Sequence, residues 1–160
     1  MRGMWLTFCV AAAAGGFWVS GANAGFSGAL CSLLSAKEVS SAGVTPLKCR
    51  ANPPVKTPYA TTYIGYWGSN ASAPTHLIIQ INKVSNAGSL STFKTLMRRR
   101  SGWVAAPVKV AGVGSIAYGA RTSDIGEIQF IAGSYFVALE LHSKSPARVT
   151  ALAKAVAARL

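Results

Sequence analysis

Acid is what this 160-residue chain has least of: Glu38, Asp124, Glu127 and Glu140 stand against sixteen lysines and arginines. The net charge of +12 therefore reflects a shortage of carboxylates, and no long basic tail accompanies it. Charge dispersed in this way suits solubility and weak attraction to lipid headgroups, cell-wall polymers or nucleic acid, and selects none of them. Cysteine is scarce too, with three in all, and no C-x-x-C redox spacing occurs. The only histidines are His76 and His142, too few for a metal site unless several of the rare acids join them. No run of about 20 continuous apolar residues is present, which leaves out an ordinary membrane-spanning helix. No internal repeat and no catalytic signature appears, so no cofactor is expected.

What is present begins with an address. Arg2 precedes an apolar stretch from Met4 through Ala14, broken afterwards by Gly15, Gly16, Ser20 and Gly21, and Ala22-Asn23-Ala24 has the small-x-small form of a signal-peptidase site. The expectation is a cleaved export signal over residues 1–24, a single mature domain over 25–160, and a periplasmic or secreted bacterial location; a retained anchor is the rival. Cys9 leaves with the signal. In an oxidising compartment the remaining pair, Cys31 and Cys49, is most simply a disulfide, with a redox pair or half a metal site as alternatives. Gly28-Ala29-Leu30 before Cys31 has the wrong order for a lipoprotein signal.

Along the mature chain, Ser35 and Glu38 have capping-box spacing, which predicts a short helix to about Ala42 with Gly43 as its stop. Four prolines between Thr45 and Pro58 predict loop with at most one short strand near Cys49. Strands are expected at 61–67, at 76–84 with Leu77, Ile79 and Ile81 on one face, at 108–110 and at 116–121. Asn86-Ala87-Gly88-Ser89 reads as a break, followed by an amphipathic helix from Ser91 to about Arg100. Residues 125–131 and 135–142 flank a Gly-containing hairpin loop, and Ser145-Pro146 reads as the cap and first residue of a closing helix. The order predicts an α+β domain, with N-terminal, central and C-terminal helices packed on an antiparallel sheet.

Three segments carry a resemblance. Cys31-Ser32-Leu33-Leu34-Ser35-Ala36-Lys37-Glu38-Val39, Val110-Ala111-Gly112-Val113-Gly114-Ser115-Ile116-Ala117-Tyr118, and the hairpin with the terminal helix closing on Arg159-Leu160 resemble small exported bacterial domains of unknown function, many of them lipoproteins, with a PsbP-like fold. The resemblance implies that fold and a Cys31–Cys49 bridge. It carries no catalytic residues to this chain. Ser115 stands where the family often has Asp, and Cys49-Arg50-Ala51 lacks an aromatic often found after the second cysteine.

Candidate sites are few. Gly112-Val113-Gly114-Ser115 is read as a tight turn before a phosphate cradle, because a strand follows it where a cradle needs a helix. Arg98-Arg99-Arg100, with Lys94 one turn earlier and Trp103 nearby, is the densest positive patch and the candidate anion-contacting surface; the bland account is bases offsetting a helix dipole. Glu140 and His142 share a strand face, read first as an ordinary solvent-facing pair. Tyr63 and Trp67 share the face of Gly65 and are read as core before ligand platform, and Asn70-Ala71-Ser72 fits a glycosylation sequon of no consequence in a bacterium. The expected role is a non-catalytic binding module for a partner protein or anionic envelope component, with nucleic acid disfavoured by export. The alternative is an envelope hydrolase using Glu140 and His142.

Overall fold

The structure, a computed structural model, describes residues 29–45, 47–69, 73–99 and 101–160. The expected signal and its cleavage point at Ala24, the Asn70 sequon and Arg100 lie outside the described residues. Eight strands form one antiparallel sheet: β1 (Cys49–Ala51), β2 (Val55–Lys56), β3 (Ala60–Trp67), β4 (His76–Val84), β5 (Val108–Lys109), β6 (Ile116–Arg121), β7 (Ile125–Ala132) and β8 (Tyr135–His142). Their order is β1-β3-β4-β8-β7-β6-β5, with β2 also paired to β3. Helices α1 (Ala36–Ser41), α2 (Ala87–Leu96) and α3 (Val149–Ala157) complete the α+β domain, with 3-10 turns at Leu30–Ser32 and Pro146–Arg148.

Alternation of apolar and polar residues gives the sheet two unlike faces. On one, Leu77, Ile79 and Ile81 of β4 and Val137, Leu139 and Leu141 of β8 are buried in a continuous core with Leu30, Val39 and the α3 stripe Val149, Leu152, Ala153 and Val156. Each such side chain contributes roughly 1.5–3 kcal/mol on burial, so this face holds the domain together. Trp67 belongs to it and Tyr63 packs against it, which makes them core as expected. The opposite face is covered at one corner by α2. There Leu90 and Phe93 of α2 and the following Met97 pack on Val84, Ile131 and Phe136, with the Phe93 and Phe136 rings stacked 4.4 Å apart.

Four local expectations need correction. The strand ends at Val84 as expected, but the helix begins earlier than Ser91: the Asn86 side chain accepts from Ser89 N–H at 2.8 Å and starts α2 at Ala87, since an N-cap amide outweighs the poor propensity of Gly88 and Ser89. The helix then ends at Leu96, so Arg98 and Arg99 follow it in a turn and do not form its last residues. Ser145 makes no side-chain cap; Pro146 opens a 3-10 turn that leads into α3. The proline-rich segment holds two short strands, because both β1 and β2 find β3 as a partner.

The capping box is formed as expected and does more than cap. Ser35 Oγ accepts from the Glu38 N–H, and Glu38 Oε2 accepts from the Ser35 N–H at 2.7 Å. The same carboxylate takes a two-pronged bond from Arg159, at 2.9 and 3.1 Å, while Arg159 also donates to the Leu33 carbonyl. One acid thereby ties the first helix to the chain's last turn. The Arg159 hydrogen bond, together with those from Ser35, lowers the Glu38 pKa from 4.5 to about 2 despite opposing desolvation. A depressed carboxylate stabilises above its unfolded pKa and loses that contribution as pH falls through the folded one. Glu38→Gln is expected to cost about 1–1.5 kcal/mol at neutral pH, a cap plus a solvent-screened ion pair. Urea midpoints of the two proteins should converge as pH falls from about 5 toward 2; a constant gap would reject the linkage.

Candidate functional site

The uncovered part of the second sheet face is built from the alternate residues that point away from the core. Strand register lines them up in rungs. His76 of β4 faces His142 of β8, which faces Ile125 of β7. In the next rung Tyr66, Ile78, Glu140, Glu127 and Ala120 run across five strands, and in the third Ile64, Gln80, Ala138, Gln129 and Tyr118. Both histidines of the chain and two of its four acids therefore meet on adjacent rungs.

His76 is buried at 3 % exposure, with Nδ1 2.6 Å from the Ala73 carbonyl oxygen. A carbonyl only accepts, so Nδ1 carries the proton and Nε2 of the neutral ring keeps a lone pair. The ring stacks on His142 with centroids 4.0 Å apart and planes 18° from parallel. His142 Nε2 is hydrogen-bonded to Glu140 Oε1; the two side chains are 24 % and 39 % exposed, so the pair is half-buried and not the open solvent-facing pair its spacing suggests. One donor atom from each of His76, Glu140 and His142 falls within 4.8 Å of the others.

Glu127 extends the cluster. It faces Glu140 directly across the β7–β8 ladder, an arrangement that is unfavourable for like charges. Its Oε2 accepts from the Val104 N–H at 3.0 Å, which ties residues 101–107 to the sheet. Burial raises the Glu127 pKa, with Glu140 adding to the rise, while the Val104 bond and His142 oppose it. Beneath that segment lies a cleft of about 170 Å³ floored by Ile78, Gln80, Gln129 and Glu140 and flanked by Gly102. Its lining residues carry no hydroxyl and no thiol, so the side chains there able to act as a nucleophile or base are the carboxylates of Glu127 and Glu140.

The basic candidates lie elsewhere. Lys94 is exposed on α2, Arg98 and Arg99 are exposed just beyond it, and Trp103 is half-buried in the segment that covers the cleft. Gly112 and Gly114 adopt left-handed backbone, φ +72° and +53°, in a turn that plants Val113 in the core; no helix follows, so the turn reading holds over the phosphate cradle. Cys31 and Cys49 are joined in a disulfide, Cα atoms 5.7 Å apart.

No family model, curated protein or solved structure matches this chain. Its chemistry must be argued from its own geometry. Two members of the cluster, Glu140 and His142, were legible from their i, i+2 spacing. His76 enters the sequence reading only as one of too few histidines and Glu127 only as one of four acids, although alternation alone places His76 on the face of Gln80, and Glu127 on that of Gln129. Among the described residues no helix is long and apolar enough to cross a membrane.

Proposed function

We propose that this chain is an exported, non-catalytic α+β module with a PsbP-like fold that associates with anionic components of the bacterial envelope. One observation carries this reading: the fold presents its bases and half-buries three of its four acids, Glu38, Glu127 and Glu140. Every described lysine and arginine is exposed, and Arg159 is the one among them held in an ion pair. Glu38 is consumed by Arg159, Glu127 and Glu140 lie on the sheet floor, and Asp124 accepts from Thr122 and Ser123 in a turn. The outer surface is thus more positive than composition alone implies, which favours phosphate- or carboxylate-bearing envelope surfaces through long-range attraction. The disulfide and the signal-like leader support an oxidising, extracytoplasmic location. The hydrolase alternative keeps its Glu140–His142 pair, to which the cleft lining adds the Glu127 carboxylate and no hydroxyl or thiol.

The test is co-sedimentation of residues 25–160 with vesicles containing about one-third anionic phospholipid, across ionic strengths from about 0.02 to 0.3 M. Retention is expected at low salt, with at least a tenfold loss at the upper end and none on neutral vesicles. Arg98→Glu/Arg99→Glu should weaken retention more than Lys48→Glu/Lys56→Glu if the patch beyond α2 leads the contact. Salt-independent retention, or equal retention on neutral vesicles, would sink the electrostatic reading.

A further inference from the structure

The geometry points to a divalent transition-metal site of the zinc class, formed by His76, Glu140 and His142 with Glu127 beside it. This goes beyond envelope association and does not depend on it, since the cationic exterior and the sheet floor are separate surfaces.

Four observations converge. First, two imidazoles and a carboxylate place their donor atoms within 4.8 Å of one another. Tetrahedral zinc with ligand bonds of about 2.0–2.2 Å sets its donors roughly 3.3–3.6 Å apart, so up to about 1.5 Å of closure is needed. Rotation of the half-exposed His142 and Glu140 supplies it, and must also turn His142 out of its stack on His76, because the lone pair of each ring lies in the ring plane. Second, His76 is held as a metal-binding histidine is usually held: Nδ1–H donates to the Ala73 carbonyl, buried ring fixed, Nε2 lone pair free for a ligand bond. Third, Glu127 and Glu140 oppose each other across the ladder. A facing carboxylate pair costs stability unless a cation lies between or beside it, and in a chain with four acids that placement is unlike a generic solvated surface. Fourth, imidazole donors select zinc and its neighbours over magnesium and calcium, which prefer all-oxygen shells.

As hydrogen-bonded here, His142 Nε2–H donates to Glu140. With an ion between them, the neutral ring carries its proton on Nδ1, and Nε2 and the carboxylate both turn lone pairs to the metal. Three protein ligands leave a fourth tetrahedral position open, next to the Gln80–Gln129 cleft. Glu127 faces Glu140 on the same rung with its Oε2 on the Val104 N–H, beside the three ligands and not among them.

The test uses tag-free residues 25–160, treated with chelator and dialysed, then titrated calorimetrically with zinc chloride, with magnesium chloride as the control. The expected result is one zinc per chain with micromolar or tighter affinity, a raised melting temperature, and no response to magnesium. Glu140→Gln and His142→Ala, chosen because both side chains are partly exposed and folding can be checked by circular dichroism, should each weaken zinc binding at least tenfold. Absence of zinc binding in the parent protein, or unchanged binding in both variants, would overturn the site. An equal response to magnesium would do the same.

Discussion

Gly114→Ala is expected to lower the unfolding free energy by about 2–5 kcal/mol, a large effect for a single methyl group. Two costs add. Gly114 sits at φ +53°, where a residue with a Cβ is strained by about 1–2 kcal/mol. A Cβ there would also overlap the Ile131 carbonyl oxygen and crowd the Phe130 ring at 3.2 Å. That carbonyl accepts from the Ser115 N–H at 2.7 Å and from Ser115 Oγ at 3.2 Å, so moving it loosens the start of β6 against the end of β7. Overpacking against backbone costs about 1–3 kcal/mol more. Gly112 is the internal control. Its φ is +72°, but the nearest atom to an added Cβ is Lys154 Cε at 3.7 Å, the far part of a flexible chain. Gly112→Ala should therefore cost only about 1 kcal/mol. Urea denaturation of both variants separates the two causes; equal losses would mean that backbone conformation, and not the approach to Ile131, sets the requirement.

Removing the Cys31–Cys49 bridge is expected to cost about 3 kcal/mol and lower the melting temperature by roughly 10 °C. The bridge closes a separation of 18 residues, which corresponds to that value in the chain-entropy account. Its structural reach explains why the loss should be felt. Cys31 lies in the 3-10 turn that carries the buried Leu30, and Leu33 and Leu34 follow directly. Cys49 begins β1, a three-residue edge strand held only by β3. Each partner is a marginal element by itself, and the bond lends each the other's anchorage. Cys31→Ser/Cys49→Ser should match the parent protein under reductant in thermal unfolding. Hydrogen exchange should rise first in β1 and around Leu30. No change in melting temperature on reduction would refute this assignment of stability.

Most of the sheet was legible because its strands alternate cleanly. His76–Val84 and Ile116–Arg121 have the ends that the pattern predicted, and the Ser35–Glu38 cap formed as its spacing required. The start of α2 was misjudged for a physical reason. Asn, Gly and Ser are turn formers and cap residues alike, and which role wins depends on whether Leu90, Phe93 and Met97 have an apolar surface to cover. That surface comes from Val84, Ile131 and Phe136 on three different strands, so it does not exist until the sheet does.

The candidate site divides along the same line. By itself the sequence determined its ingredients: which residues are scarce, that Glu140 and His142 share a face, and that two cysteines suffice for one bridge. Only the tertiary structure decided that the scarce residues meet. His76 reaches His142 through the β4–β8 ladder, and Glu127 reaches Glu140 through β7–β8. Alternation fixes which side of a strand a residue occupies. Register, set by the burial of whole apolar faces, fixes what it stands beside, and a shift of one residue would send both histidines into the core.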